Sequence, residues 1–176
     1  MKKFQDNSVA PIVAWDFDGL ICVGDSYPDP NNGKIRPYIV KVMNFLAEIG
    51  VKNIINTSRD VAIVQDGCIV QDDITSMMKY LRENKVMYSA INKSVQYAPF
   101  TYNSRKIYAH MYVDDRGYGW REHSHAALDV LVEILVSILE VPYSAAYRVR
   151  NEMEVCAGVS NETIQEYKKY VKDYWK

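Results

Sequence analysis

Two carboxylates one residue apart, Asp16 and Asp18, follow the apolar run Pro11-Ile12-Val13-Ala14-Trp15 and precede Gly19. Such a run reads as a buried strand, and alternate residues share a face until the chain turns, so both acids are delivered close together at the strand's carboxyl end. Paired carboxylates in water-poor surroundings repel each other unless a cation, fixed donors or a shared proton compensates. The chemistry they suit is divalent-metal binding, or a nucleophile beside an acid/base partner; the bland alternative is an Asp-Gly turn with Asp16 as a cap. A second acidic pair, Asp114-Asp115, follows the stretch His110-Met111-Tyr112-Val113. Hard oxygen donors with few histidines nearby favour Mg2+, which is commonly held by one or two carboxylates and a phosphate oxygen. Thr57-Ser58-Arg59, after the apolar run 51–56, adds hydroxyls and backbone N–H groups suited to an anionic oxygen. Lys106, upstream of the second acidic pair, is a cation able to reach the same edge and neutralise a phosphate.

The elements that must position these groups alternate in type. Residues 24–33 are dense in turn formers and read as a loop, after which Ile39, Val42, Met43, Leu46 and Ala47 recur at helical spacing up to Gly50, a glycine C-cap. A strand over 51–56 follows, then an amphipathic helix over 72–85 with Ile74, Met77, Met78 and Leu81 on one face, a strand over 86–91, a loop over 92–105 and a strand over 110–113. Strands separated by helices imply right-handed crossovers and a parallel sheet, with ligands outside the carboxyl ends of the strands. All the acidic and hydroxyl clusters fall there. Beyond Trp120 the texture becomes helical, over about 124–140, 144–156 and 160–176, with Pro142 and Gly158 as punctuation. The expected fold is therefore α/β, a Rossmann-like three-layer parallel sheet over residues 1–120 with a helical C-terminal extension over 121–176.

Composition narrows the function classes. The chain has 176 residues, 48% hydrophobic and 24% charged, enough for one sizeable core. A net charge of −1 provides no global basic excess, which demotes extended duplex binding. Cys22, Cys68 and Cys156 are far apart and lack a C-x-x-C spacing, which argues against a disulfide framework or a zinc knuckle and suits a reducing cytoplasm. No secretion signal and no membrane-length apolar run is visible, so a soluble cytoplasmic protein without a membrane partner is expected. Tyr27, Tyr97 and Tyr102 fall in loops where they could stack on bases, though packing is the commoner role of tyrosine. His123-Ser124-His125 reads as structural or capping, and Lys168, Lys169 and Lys172 as a solvated helix face. Residues 130–141 are apolar around nearly the whole helix, implying burial on two sides, within the fold or at a homo-oligomer interface.

Taken in order, Asp-x-Asp-Gly after a strand, a hydroxyl after the second strand, a Lys and then Asp-Asp after an apolar strand, the chain resembles the haloacid dehalogenase-like phosphohydrolase superfamily over about residues 11–117. Residues 12–19 are similar to its first motif, Ile54-Ile55-Asn56-Thr57 to its second, Lys106 to its third and Tyr112-Val113-Asp114-Asp115 to its fourth; residues 104–116 also resemble small uncharacterised hydrolase-like members from bacteria and their viruses. The resemblance implies Asp16 as a nucleophile forming an aspartyl-phosphate, and Asp18 as the acid that protonates the leaving oxygen and then deprotonates water. It implies Thr57, with Ser58 beside it, as the phosphoryl holder and Lys106 as the charge-neutralising cation. Mg2+ would be bound by Asp16, the Asp18 carbonyl and Asp115 with support from Asp114. Two departures stand out: Leu20 occupies the position usually held by Thr or Ser after Asp-x-Asp-Gly, and no further strand is evident after the fourth motif. Neither segment between the motifs has room for a large cap, so an open site is expected.

The function implied is Mg2+-dependent hydrolysis of phosphomonoesters, with nucleotides or phosphorylated nucleic-acid ends ahead of sugar phosphates. Leu20 and the apolar C-terminal helices motivate the alternative, a catalytically weak or inactive binding or assembly protein on the same fold. A phosphoacceptor receiver domain uses similar residues, but its acidic pair and Lys come in a different order.

Overall fold

The computed structural model describes residues 10–27, 29–59, 62–66, 68–94, 107–117, 125–156 and 158–174. Four parallel strands form the central sheet: β1 (Ile12–Trp15), β4 (Lys52–Ile55), β7 (Ala90–Ile91) and β8 (Met111–Val113), in the order β7-β4-β1-β8. Two small antiparallel hairpins accompany it, β2 (Cys22–Gly24) with β3 (Gly33–Ile35) and β5 (Ala62–Gln65) with β6 (Cys68–Asp72). The helices are α1 (Pro37–Ile49), α2 (Asp73–Glu83), α3 (Ala126–Ser137), α4 (Tyr143–Val155) and α5 (Asn161–Tyr174). The molecule is thus a mixed α/β fold with a central parallel sheet flanked by helices, a generic Rossmann-like topology.

Strand β1 is buried at all four positions because both its faces are covered, which is why its sequence is a continuous apolar run. Helix α1 begins with Pro37 in its first turn, where the missing N–H costs nothing, and ends at Gly50 in the left-handed region at φ 106°, whose N–H reaches the Ala47 and Leu46 carbonyls. Its buried residues Ile39, Val42, Met43, Leu46 and Ile49 keep the 3–4 spacing of one helix face. The main core runs from Val13, Trp15 and Phe17 through α1 to Leu128, Leu131, Ile134 and Leu135 of α3, Val149 and Met153 of α4, and Tyr167 and Val171 of α5, and a smaller cluster joins Ile12, Ile54 and Ile107. Helix α3 packs against both α1 and α4, so its all-round apolar character is satisfied within this chain. Asn53 ties sheet to helix at full burial: its Nδ2 donates to the Met43 and Met87 carbonyls and its Oδ1 accepts from Trp15 Nε1.

Several segments differ from expectation. The expected strand over 86–91 shrinks to Ala90–Ile91 because the chain first closes α2, with Lys85 at φ 55° and the Val86 N–H bonded to the Leu81 carbonyl. The turn-rich stretch 24–33 is the tip of the β2–β3 hairpin and includes a 3-10 turn at Pro30–Asn32. The β5–β6 hairpin, between Thr57 and α2, has no counterpart in the sequence reading. Among the described residues, helices and no further sheet strand follow β8. Lys106, Tyr97, Tyr102, Trp120, His123 and Ser124 lie outside the described residues.

Candidate metal centre

The strand order determines where chemistry can gather. From β1 the chain steps through α1 to β4 and through α2 to β7, always away from β1 on one side; β8 then lies on β1's other side. The order reverses between β1 and β8, and such a switch point opens a crevice at the carboxyl ends of the two strands. Trp15 and Val113 are paired across it, and the Asp16 N–H donates to the Val113 carbonyl at 2.9 Å. Asp16 therefore stands beside Asp114 and Asp115.

These three carboxylates form the cluster, each offering one oxygen, with all three oxygens within 4.8 Å of one another. Asp16 and Asp115 are half-buried and Asp114 is exposed. Burial pushes the Asp16 carboxyl up to about 6, the negative charges on Asp114, Asp115 and Asp18 push the same way, and the Phe17 backbone N–H opposes them. Like charges held this close by the fold are relieved by a cation, and an all-carboxylate donor set suits a hard divalent ion. The cluster could thus coordinate a divalent metal.

Two local features keep the carboxylates in place. Asp114 closes its own turn, its Oδ1 accepting from Arg116 N–H at 2.8 Å and its carbonyl from Gly117 N–H at 3.0 Å. Gly19, at φ 85°, ends a tight turn in which its N–H donates to the Cys22 carbonyl while Ile21 and Cys22 N–H donate to the Phe17 carbonyl. Arg36 Nη2 fastens that turn by donating to the Gly19 carbonyl at 3.1 Å.

Asp18 is placed differently from what its spacing suggests. Its side chain turns to the β2–β3 connection, where Oδ1 accepts from Ser26 Oγ at 2.6 Å and Arg59 Nη2 at 2.7 Å, and Oδ2 accepts from Arg59 Nε at 2.7 Å. It takes no part in the three-acid cluster. Arg59 is buried, and its guanidinium also donates to the Ser26 carbonyl and lies over the Phe17 and Tyr27 rings. Leu20 is fully buried in the core, so an apolar contact occupies the position where the resemblance leads one to expect a hydroxyl.

Thr57 lies just beyond the carboxyl end of β4, the strand next to β1. Its hydroxyl accepts from Arg59 N–H at 3.2 Å, and Asn92 clasps its backbone: Thr57 N–H donates to Asn92 Oδ1 at 2.8 Å, and Asn92 Nδ2 donates to the Thr57 carbonyl at 2.7 Å. Ser58 is exposed at the same turn. Arg59, Ser26 and Asn92 are the contributors that sequence reasoning did not single out. A signal existed only for Asn92, which follows an apolar run and adopts φ 48°, a conformation Asn tolerates better than most residues. His125 precedes α3, and its Nε2 lies 3.3 Å from Glu154 Oε1.

No protein-family model matches the chain, nor does any curated protein. Among solved structures, a conserved protein coded by a locus of Bacteroides thetaiotaomicron shares the fold with a TM-score of 0.53 and 22% identity, over 77% of this chain and 96% of that one.

Proposed function

We propose that the chain is a Mg2+-dependent phosphate-binding protein of the haloacid dehalogenase-like type, with slow turnover of ordinary phosphomonoesters. The observation that carries this reading is the cluster of Asp16, Asp114 and Asp115 at the topological switch point, their oxygens within 4.8 Å. Magnesium, when bound, would supply positive charge to a phosphoryl oxygen. Asp16, Asp114 and Asp115 would hold it, while the Thr57 hydroxyl and the exposed Ser58 stand at the adjoining strand end for the phosphoryl group. Slow turnover follows from Asp18, whose oxygens are engaged by Arg59 and Ser26 instead of facing the cluster.

A second reading, the phosphomonoesterase itself, is favoured by one feature: Asp16 is a half-buried member of the cluster at the end of β1, and in this reading it is the nucleophile toward phosphorus. Nucleotides and phosphorylated nucleic-acid ends lead its substrate classes, ahead of sugar phosphates.

One experiment tests both. Mg2+ and then inorganic phosphate are titrated calorimetrically into the wild type and Asp16→Asn, and phosphate release is followed over nucleoside monophosphates, end-phosphorylated oligonucleotides and sugar phosphates. Metal-dependent phosphate binding with little release supports the binding protein. Rapid release abolished by Asp16→Asn supports the esterase, and no metal-dependent phosphate binding refutes both.

A further inference from the structure

Charged side chains also converge at the opposite end of the sheet, where α5 packs on α1 near the start of β4. A cleft of about 420 Å3 opens there, within the roughly 300–1,000 Å3 typical of small-ligand sites. Its floor is apolar, made by the buried Ile49 at the end of α1 and the buried Val171 of α5. Its rim carries Lys52, the first residue of β4, with Lys168 and Lys172 one turn apart on one face of α5, and Glu48 as its one acid. Elsewhere on α5 charge is compensated, since Glu166 pairs with Arg148. Among the described residues, however, Lys52, Lys168, Lys172 and Glu48 enter no ion pair. Three ammonium groups round one cleft repel one another, and one carboxylate does not balance them. The carboxyl ends of α1 and α5 each add roughly half a negative charge, which still leaves the rim with about one positive charge.

We propose that this cleft binds a nucleoside di- or triphosphate, its phosphates held by Lys52, Lys168 and Lys172, its base on the floor of Ile49 and Val171, and a ribose hydroxyl donating to Glu48. Each group on the page sets one requirement. Several lysines together suit a ligand with several adjacent negative charges, since an ammonium binds phosphate as a compact point charge. The apolar floor suits a body attached to those charges, and the carboxylate suits a hydroxyl donor beside them. Inorganic polyphosphate meets only the first of the three. The site uses neither the acidic cluster nor its metal and lies at the other end of the strands. Lys52 belongs to the sheet while Lys168 and Lys172 belong to α5, so a polyphosphate that spans them ties α5 to the core and stabilises the folded chain.

The test titrates ATP, inorganic tripolyphosphate and a single-stranded oligonucleotide calorimetrically into the full chain, for the wild type, Lys52→Ala, Lys168→Ala and Lys169→Ala. Chelator is present throughout, so that the acidic cluster is metal-free and repels polyphosphates. Wild type should bind ATP with a Kd below about 1 mM and about 10-fold more tightly than tripolyphosphate, which lacks the body that covers the floor. Lys52→Ala and Lys168→Ala should each weaken ATP binding by about 10-fold. Lys169→Ala makes the same charge change on an exposed part of α5 outside the cleft, and should leave binding unchanged. ATP should also raise the melting temperature of the wild type more than that of Lys52→Ala. The substituted lysines sit at the surface, and ligand-free melting temperatures verify that each variant folds. No saturable ATP binding by about 1 mM, or equal losses in Lys168→Ala and Lys169→Ala, overturns the site. Tripolyphosphate that binds as tightly as ATP, or an oligonucleotide that binds more tightly, overturns the nucleotide assignment.

Discussion

The carboxylate of Asp115 lies against the α-carbon of Gly19, so that a β-carbon at that glycine would come within 2.3 Å of Asp115 Oδ2 and 2.7 Å of its Cγ. The turn carrying Asp16 and the strand end carrying Asp115 are thus fitted to each other at a point where only hydrogen can stand. Gly19→Ala is expected to displace Asp115 and weaken divalent-metal binding at the cluster by about 10–100-fold, the range typical of disturbing a ligand's support. Gly24→Ala is the control, with a similar φ of 88° and nothing within 4 Å of the added carbon. It should cost stability without changing metal affinity, and equal metal affinities for the two variants would refute the packing argument.

Asp16 predicts a pH dependence of the metal-free protein. Its carboxyl is raised from 3.8 to about 6 in the fold, chiefly by burial, so the folded chain holds this proton more tightly than the unfolded chain. The resulting stabilisation is complete below about pH 4 and is lost as pH rises through about 6. In urea melts with chelator present, Asp16→Asn should therefore exceed the wild type in stability at pH 7–8 and match it near pH 4. A difference that does not change with pH contradicts this. Divalent-metal affinity should fall in the wild type below about pH 6, where protonation competes for the ligand oxygen.

His110 acts with the opposite sign. Its Nδ1 accepts from the Ile12 N–H at 3.0 Å while its backbone N–H donates to the Ile12 carbonyl, so this residue helps clasp the start of β8 to β1. Burial holds the imidazole below its ordinary value of 6.5. The clasp should be intact above pH 6.5 and its contribution lost as pH falls through the lowered folded value. Wild type and His110→Ala should differ by about 1 kcal/mol at pH 8, the worth of one hydrogen bond, and the gap should narrow as pH falls below 6.5. A gap that does not change with pH would show that packing, not the neutral ring, is responsible.

Asn53 is a matter of stability alone. Replacing it by Ala orphans the buried Trp15 indole N–H and takes a donor from the Met43 and Met87 carbonyls, with an expected loss of about 3 kcal/mol in urea denaturation. Metal affinity of the folded fraction should be unchanged. A loss under about 1 kcal/mol would mean that water or neighbouring groups replace the bonds.

What was legible in the sequence follows from periodicity and punctuation. Residues 11–15 are apolar at every position because β1 is covered on both faces, and the helix ending at Gly50 was legible from its 3–4 spacing and its glycine. The acids at the ends of β1 and β8 could be named for the same reason. Helix α3's apolar circumference was legible too, but its two partners, α1 and α4, were not. The hairpin β5–β6 escaped because short strands without strict alternation look like loop, and β7 is shorter than the strand expected over 86–91 because Lys85 and Val86 close α2 before pairing begins.

Sequence by itself determined which groups are available: three acids that reach one crevice, a fourth beside them, and a hydroxyl at a neighbouring strand end. Only tertiary structure decided how they divide. Pairing β8 next to β1, a contact between segments about a hundred residues apart, is what brings Asp114 and Asp115 to Asp16. A spacing of two tells where Asp16 and Asp18 leave a strand but not which way each turns once the strand has ended. That direction was set by Arg59, a buried cation 41 residues away, whose guanidinium must find an anion within reach and finds Asp18.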